Sequence, residues 1–192
     1  MQKLRDNSLK IALMIFISGF YIGYTLRFFD VICTPLVRGF LFPIYDQAVA
    51  SMKPYGGYPN SQFIGYGISE STGFDIFKNN FLPATLLIGT SIIFGLPTMI
   101  ILFFIGVGAG SSLAEIIEFT TLSTSLQFIV ATIIFAAMVV YAGSVGFYIC
   151  SFLYDTIRNR DFKVEKTFYD HILVTAGLVV LGIIVQNIFR VV

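Results

Sequence analysis

The sequence has no tryptophan, two cysteines, one histidine and few charges, with Asp, Glu, Lys and Arg together making up 12% of it. That charge content is about half the usual share for a soluble domain. Two cysteines, Cys33 and Cys150, cannot build a disulfide framework, and they read as small apolar fillers. A net charge of +1 gives no electrostatic reason to expect a nucleic-acid partner. Without tryptophan, any aromatic belt at the membrane interfaces falls to the 10 tyrosines.

Apolar residues make up 56% of the 192 positions. A chain of this length has too much surface for its volume to hide so much apolar area from water. Lipid is the solvent that suits it, and the composition predicts an integral membrane protein. The N-terminus has a basic start (Lys3, Arg5, Lys10) and an apolar run from Ile11 to Leu26, but no small-x-small cleavage site follows. It reads as an uncleaved first helix.

Four hydrophobic stretches stand out: Ile11 to Ile32, Phe81 to Leu113, Leu126 to Leu153 and Ile172 to Phe189. A span needs about 20 apolar residues, so the second stretch is too long for one helix. It is interrupted at Gly95-Leu96-Pro97, where proline lacks a backbone donor and glycine relaxes the chain. Charge chooses between one crossing and two. Lys3, Arg5 and Lys10, and then Arg158, Arg160, Lys163 and Lys166, form two basic segments, whereas the region 111–125 carries only Glu115 and Glu118. Basic segments favour the cytoplasm, and both reach it only if the second stretch turns back on itself.

The expected fold is therefore an all-α polytopic bundle of five membrane segments, with both the N-terminus and the basic loop cytoplasmic and the C-terminus extracytoplasmic. The segments are 11–32, 81–95, 97–113, 126–153 and 172–189, with a cytoplasmic loop at 154–170. Segments two and three form a short broken hairpin, as two short spans or a re-entrant turn. Residues 33–78 contain Pro35, Pro43, Pro54 and Pro59 and the turn-rich tract 55–60, and they read as an extracytoplasmic cap. Arg27 either snorkels or pairs with Asp30.

Asn80 is a suitable N-cap, which would place Pro83 harmlessly in the first helical turn. Gly19 and Gly23, Gly106 and Gly110, and Ala142 and Gly146 are small residues four apart, a spacing that lets helix backbones approach closely in lipid. Such pairs serve either packing within the chain or self-association.

The run Phe77-Lys78-Asn79-Asn80, followed by Gly89, Gly95 with Pro97, Gly106 and Gly110, and then Ala142 and Gly146, resembles the core signature of the stage II sporulation protein M family. Ile105 stands where that family often has asparagine, and the fourth helix lacks the family's His and Glu. The resemblance implies a five-span membrane scaffold that holds cell-wall hydrolases at a membrane.

Chemistry-bearing residues are sparse. His171 reads as an interfacial polar residue, and no serine or cysteine has an evident base beside it in sequence. Glu115 and Glu118 read as a solvated acidic loop in preference to a cation site. No phosphate-binding glycine loop is present. The sequence thus predicts no catalytic residues, no metal and no cofactor. Its expected partners are the bilayer and other protein chains or a second copy, without nucleic acid. The function it favours is a non-enzymatic scaffold, with a permease-like transport subunit as the alternative, because bent half-helices also build transport sites. A polar cavity reaching Thr90, Ser91 and Thr98 would mark transport, and a dry glycine-lined contact would mark the scaffold.

Overall fold

Alanine, glycine and serine recur at Ser8, Ala12, Gly19 and Gly23, and with Phe16 they form the one buried stripe of the first helix. Their spacings of three and four residues match the helical period, so one face is small and buried while Leu13, Met14, Ile17 and Tyr21 are exposed. The computed structural model describes residues 6–27, 73–92, 95–119, 122–159 and 166–191, and among them every element is helical. These helices are α1 (Ser8–Arg27), α2 (Gly73–Thr90), α3 (Leu96–Phe119), α4 (Leu122–Asn159) and α5 (Lys166–Val191).

Among the described residues, three stretches are long and apolar enough to cross a bilayer: Ser8–Thr25, Ile129–Arg158 and Lys166–Val185. Two shorter apolar stretches, Phe81–Thr90 and Leu96–Ser111, lie in α2 and α3. Over the described residues the protein is all-α, with helices long and apolar enough to span a membrane. The expected cap at 33–78 lies outside the described residues up to position 72, and so do Cys33 and Asp30.

Several expected boundaries move. The first helix begins at Ser8 rather than Ile11. The second begins at Gly73, so Asn80 lies inside α2 and is not its N-cap, and Pro83 sits within the helix and not in its first turn. Pro83 leaves the carbonyl one turn earlier without its helical donor. The acidic region 111–125 is mostly helix, because α3 continues through Glu115 and Glu118 to Phe119 and α4 starts at Leu122. At 38 residues α4 is about 57 Å long, far more than the expected 126–153. It absorbs Asp155 and Arg158, and α5 opens at Lys166, so the basic loop is shorter than 154–170.

Thr98 of α3 bonds the Leu87 carbonyl of α2, so the two helices fold back against each other, and residues 91, 92 and 95 between them are in turns. Gly95 adopts φ +71°, a left-handed conformation that glycine takes without steric cost. Pro97 is the second residue of α3, where a missing donor is harmless.

Helix directions follow from the contacts. Gly106 meets Phe16 and Phe20, and Gly110 meets Phe20 and Tyr24, so α1 and α3 run parallel. Gly95 meets Phe147 and Cys150, while Gly143 meets Leu102, so α3 and α4 are antiparallel. Tyr141 and Ser144 meet His171, while Tyr148 stacks on Phe168 at 5.1 Å, so α4 and α5 are antiparallel. Thus α1, α3 and α5 point one way and α4 points the other. The centre of the bundle is α4, with 61% of its span buried, against 28% for α1 and 17% for α5.

Candidate functional site

Two features involve polar or small residues deep in the bundle. The first is the α1–α3 seam. A Cβ placed on Gly19 would collide with the Phe103 carbonyl, and one on Gly23 with the Val107 carbonyl. From the other side, a Cβ on Gly106 would strike the Phe16 carbonyl, and one on Gly110 the Phe20 carbonyl. Backbone therefore lies on backbone at four positions, and the two glycine pairs interlock. Both pairs are used within one chain. Gly146 plays a similar part on α4, where a Cβ would lie 2.8 Å from the Leu87 carbonyl and 3.1 Å from Thr98. Ala142 is fully buried beside it in sequence. Gly89 differs: it is exposed, with nothing near enough to touch a Cβ, so it is not a packing residue.

The second feature is a polar layer at the hairpin-turn end of the bundle. Ser8 and Ser144 share a hydrogen bond of 2.9 Å, and Ser144 shares another of 3.0 Å with His171 Nδ1. Three helices are thereby joined, α1 through Ser8, α4 through Ser144 and α5 through His171. The Tyr141 ring meets the imidazole edge-on, with centroids 5.6 Å apart. Sequence reasoning missed this partnership because Ser144 and His171 are 27 positions apart and meet only through the antiparallel packing of α4 on α5.

A serine beside an imidazole is the starting arrangement for nucleophilic catalysis. Here, however, Ser144 has no exposed surface and Ser8 is 2% exposed. The group works as an interhelical tie.

The hydroxyls at the hairpin are also internally satisfied. Thr90 donates to the Leu86 carbonyl at 2.7 Å, and Thr98 donates to the Leu87 carbonyl at 3.2 Å. The two hydroxyls lie 3.2 Å apart. Ser91 bonds the Ile88 carbonyl, and both Ser91 and Thr98 have no exposed surface. Thr98 thus meets Thr90, and Ser91 and Thr98 lie against Gly146 in a buried contact. Asn79 and Asn80 lie two to three turns further along α2. Among the described residues, no three of the His, Cys, Asp and Glu side chains are grouped to hold a metal ion.

Thr132 is the exception to this satisfaction. It is 4% exposed, and its hydroxyl has no hydrogen-bond partner. A buried hydroxyl without a partner carries a desolvation cost that valine, of nearly equal shape, avoids. Thr132→Val is expected to stabilise the protein by about 1 kcal/mol. Thermal unfolding in detergent micelles checks this, and a lower melting temperature for the variant would contradict it.

No family model matches the chain, and no curated protein or solved structure matches it either.

Proposed function

We propose that this protein is a non-enzymatic membrane scaffold of the kind implied by its resemblance to the stage II sporulation protein M family, one that recruits other proteins at the membrane. The observation that carries this reading is the closed hairpin. Ser91 and Thr98, where a transport route through bent half-helices would open, have no exposed surface and lie against Gly146. Of the residues that carry the resemblance, Gly106, Gly110 and Gly146 lie against neighbouring backbone and Ala142 is fully buried, whereas Gly89 is exposed. A rigid frame is what a scaffold needs, whereas a permease-like subunit needs a polar pathway.

In this reading all five helices are membrane segments, with α2 and α3 as two short spans. The hairpin turn supports two spans over a re-entrant loop. Thr98 meets Gly146, two residues from Ser144, and Ser144 bonds Ser8 and His171. Lys10 follows Ser8 by two positions, and His171 follows Asp170. The turn therefore lies at the depth where the charged ends of α1 and α5 begin, which is the membrane surface. Lys3, Arg5, Lys10 and the basic segment around Lys163 then share one side, and the prevalence of Lys and Arg assigns that side to the cytoplasm.

Affinity capture of the tagged full chain from native membranes should recover a fixed set of extracytoplasmic or membrane proteins. Recovery of the chain alone would remove the recruitment idea. In the same membranes, a cysteine introduced by Lys163→Cys should resist an impermeant maleimide added outside. Labelling there would reverse the proposed orientation.

A further inference from the structure

One stripe of α4 changes character along its length. Leu122, Leu126, Val130 and Ile133 recur at steps of three and four residues, and they are 78%, 54%, 46% and 63% exposed. The same steps lead on to Ala137 and Tyr141, which are half-buried, and then to Ser144 and Tyr148, which are buried. Flanking helices do the burying. Ser8 of α1 and His171 of α5 both bond Ser144, and Phe168 of α5 stacks on Tyr148.

Away from this tie both helices still pack on the core, α1 through Ile15 and Phe20 and α5 through Leu178 and Ile183. The exposure of Leu126, Val130 and Ile133 shows that they no longer meet over the stripe. On α1, the residues in line with Ser8 change in the same way, from half-buried Ile11 and Ile15 to Ile22, which is exposed. The result is an apolar cleft between α1 and α5, floored by α4, closed at the tie and open at the other end.

Length decides what the cleft can hold. Ser144 to Ile133 and Ile133 to Leu122 are 11 residues each, or about 17 Å of helix. One leaflet supplies about 15 Å of the ~30 Å hydrocarbon core. With Ser144 near the charged ends of α1 and α5, the closed part spans one leaflet and the open part the other. A transmembrane helix of a second copy or of another protein packs through close contact along its span, and the closed half denies it this floor. An acyl chain occupies one leaflet only, and its methylenes match the apolar side chains of the open half. We propose that the cleft binds one acyl chain of a phospholipid from the leaflet opposite the tie. The lipid then joins α1 and α5 at their far ends, as Ser144 joins them at the tie. This uses the membrane placement of the tie and not the scaffold role.

Native mass spectrometry of the full chain, freed of lipid in detergent and titrated with dioleoylphosphatidylcholine, tests this. The expected spectrum has one lipid per chain that survives after loosely held lipid is stripped. Ala137→Phe fills the narrow end of the cleft and should lower that occupancy severalfold. Ile184→Phe, on the exposed face of α5 and about as far from the tie as Val130, should leave it unchanged. Retention of no lipid, or equal retention by Ala137→Phe, overturns the inference. So does a lipid-free dimer, which would put a second copy in the cleft. If Ala137→Phe does not fold, Ile133→Trp blocks the open end and is read in the same way. A second measurement separates the inference from the membrane placement. The chain lacks tryptophan, so an Ile184→Trp chain in vesicles of brominated phosphatidylcholine reports on one position alone. An unquenched indole there overturns the placement and the inference together. A quenched indole with no retained lipid overturns the inference only.

Discussion

Gly106→Leu and Gly110→Leu are each expected to destabilise the bundle by more than about 3 kcal/mol, and the double variant should not accumulate in membranes. The reason is what stands opposite. An overpacked side chain in a core finds relief when a flexible neighbour changes rotamer, but here the obstacles are the Phe16 and Phe20 carbonyls. Those carbonyls belong to the hydrogen-bond ladder of α1 and cannot rotate away. The only relief is to separate the helices, and separation also breaks the contacts of Gly19 with Phe103 and of Gly23 with Val107. In lipid no hydrophobic force compensates, since van der Waals packing between close backbones is what holds such helices together. Gly89→Leu is the control: nothing lies near that position, and leucine there should change stability by less than about 0.5 kcal/mol. Thermal unfolding in micelles and membrane expression levels check the ordering. Equal tolerance at Gly89 and Gly110 would contradict the interlocked seam.

Much of this architecture was legible in the residues. The hydrophobic stretches, the break near Gly95 and the two small-residue pairs of the seam depend on local composition and period, which a sequence displays directly. The two prolines exchanged roles because their positions relative to helix starts depend on neighbours that pattern alone does not fix. Asn80 is a good cap in isolation, yet helix continues back to Gly73, and tertiary packing outweighs a cap worth about 1 kcal/mol. Pro97, taken as part of the break, opens α3 instead. Glu115 and Glu118 suggested a loop by their charge, but helices extend past the apolar layer whenever nothing stops them, and no glycine or proline intervenes there.

The polar tie was not legible. Ser8, Ser144 and His171 are ordinary residues in sequence, and their meeting is set by three helix directions and registers at once. The same holds for Gly89, which has the composition of a packing residue and the surroundings of a lipid-facing one. Family resemblance grouped it with Gly106 and Gly110, although it makes no close approach.

Ser144→Ala should be the most damaging single change in the polar layer, since it breaks both bonds and leaves two buried or half-buried partners unpaired. A membrane-embedded interhelical hydrogen bond contributes about 0.6 kcal/mol on average, but an orphaned buried group costs roughly 1–3 kcal/mol. The loss falls on α5, which has only 17% of its span buried and is tied at this end by Ser144, by Tyr141 and by the Phe168–Tyr148 stack. Ser8→Ala breaks one bond and leaves Ser144 still bound to His171, so it should cost less. With Ser144 already replaced, Ser8→Ala should add almost nothing, because its partner is gone. That non-additivity is the signature of a connected chain, and a double-mutant cycle by thermal unfolding reads it. Additive losses would mean that the two hydroxyls act separately. A chain that couples α1, α4 and α5 holds three helices together near Lys10 and Asp170, so its loss loosens that end of all three.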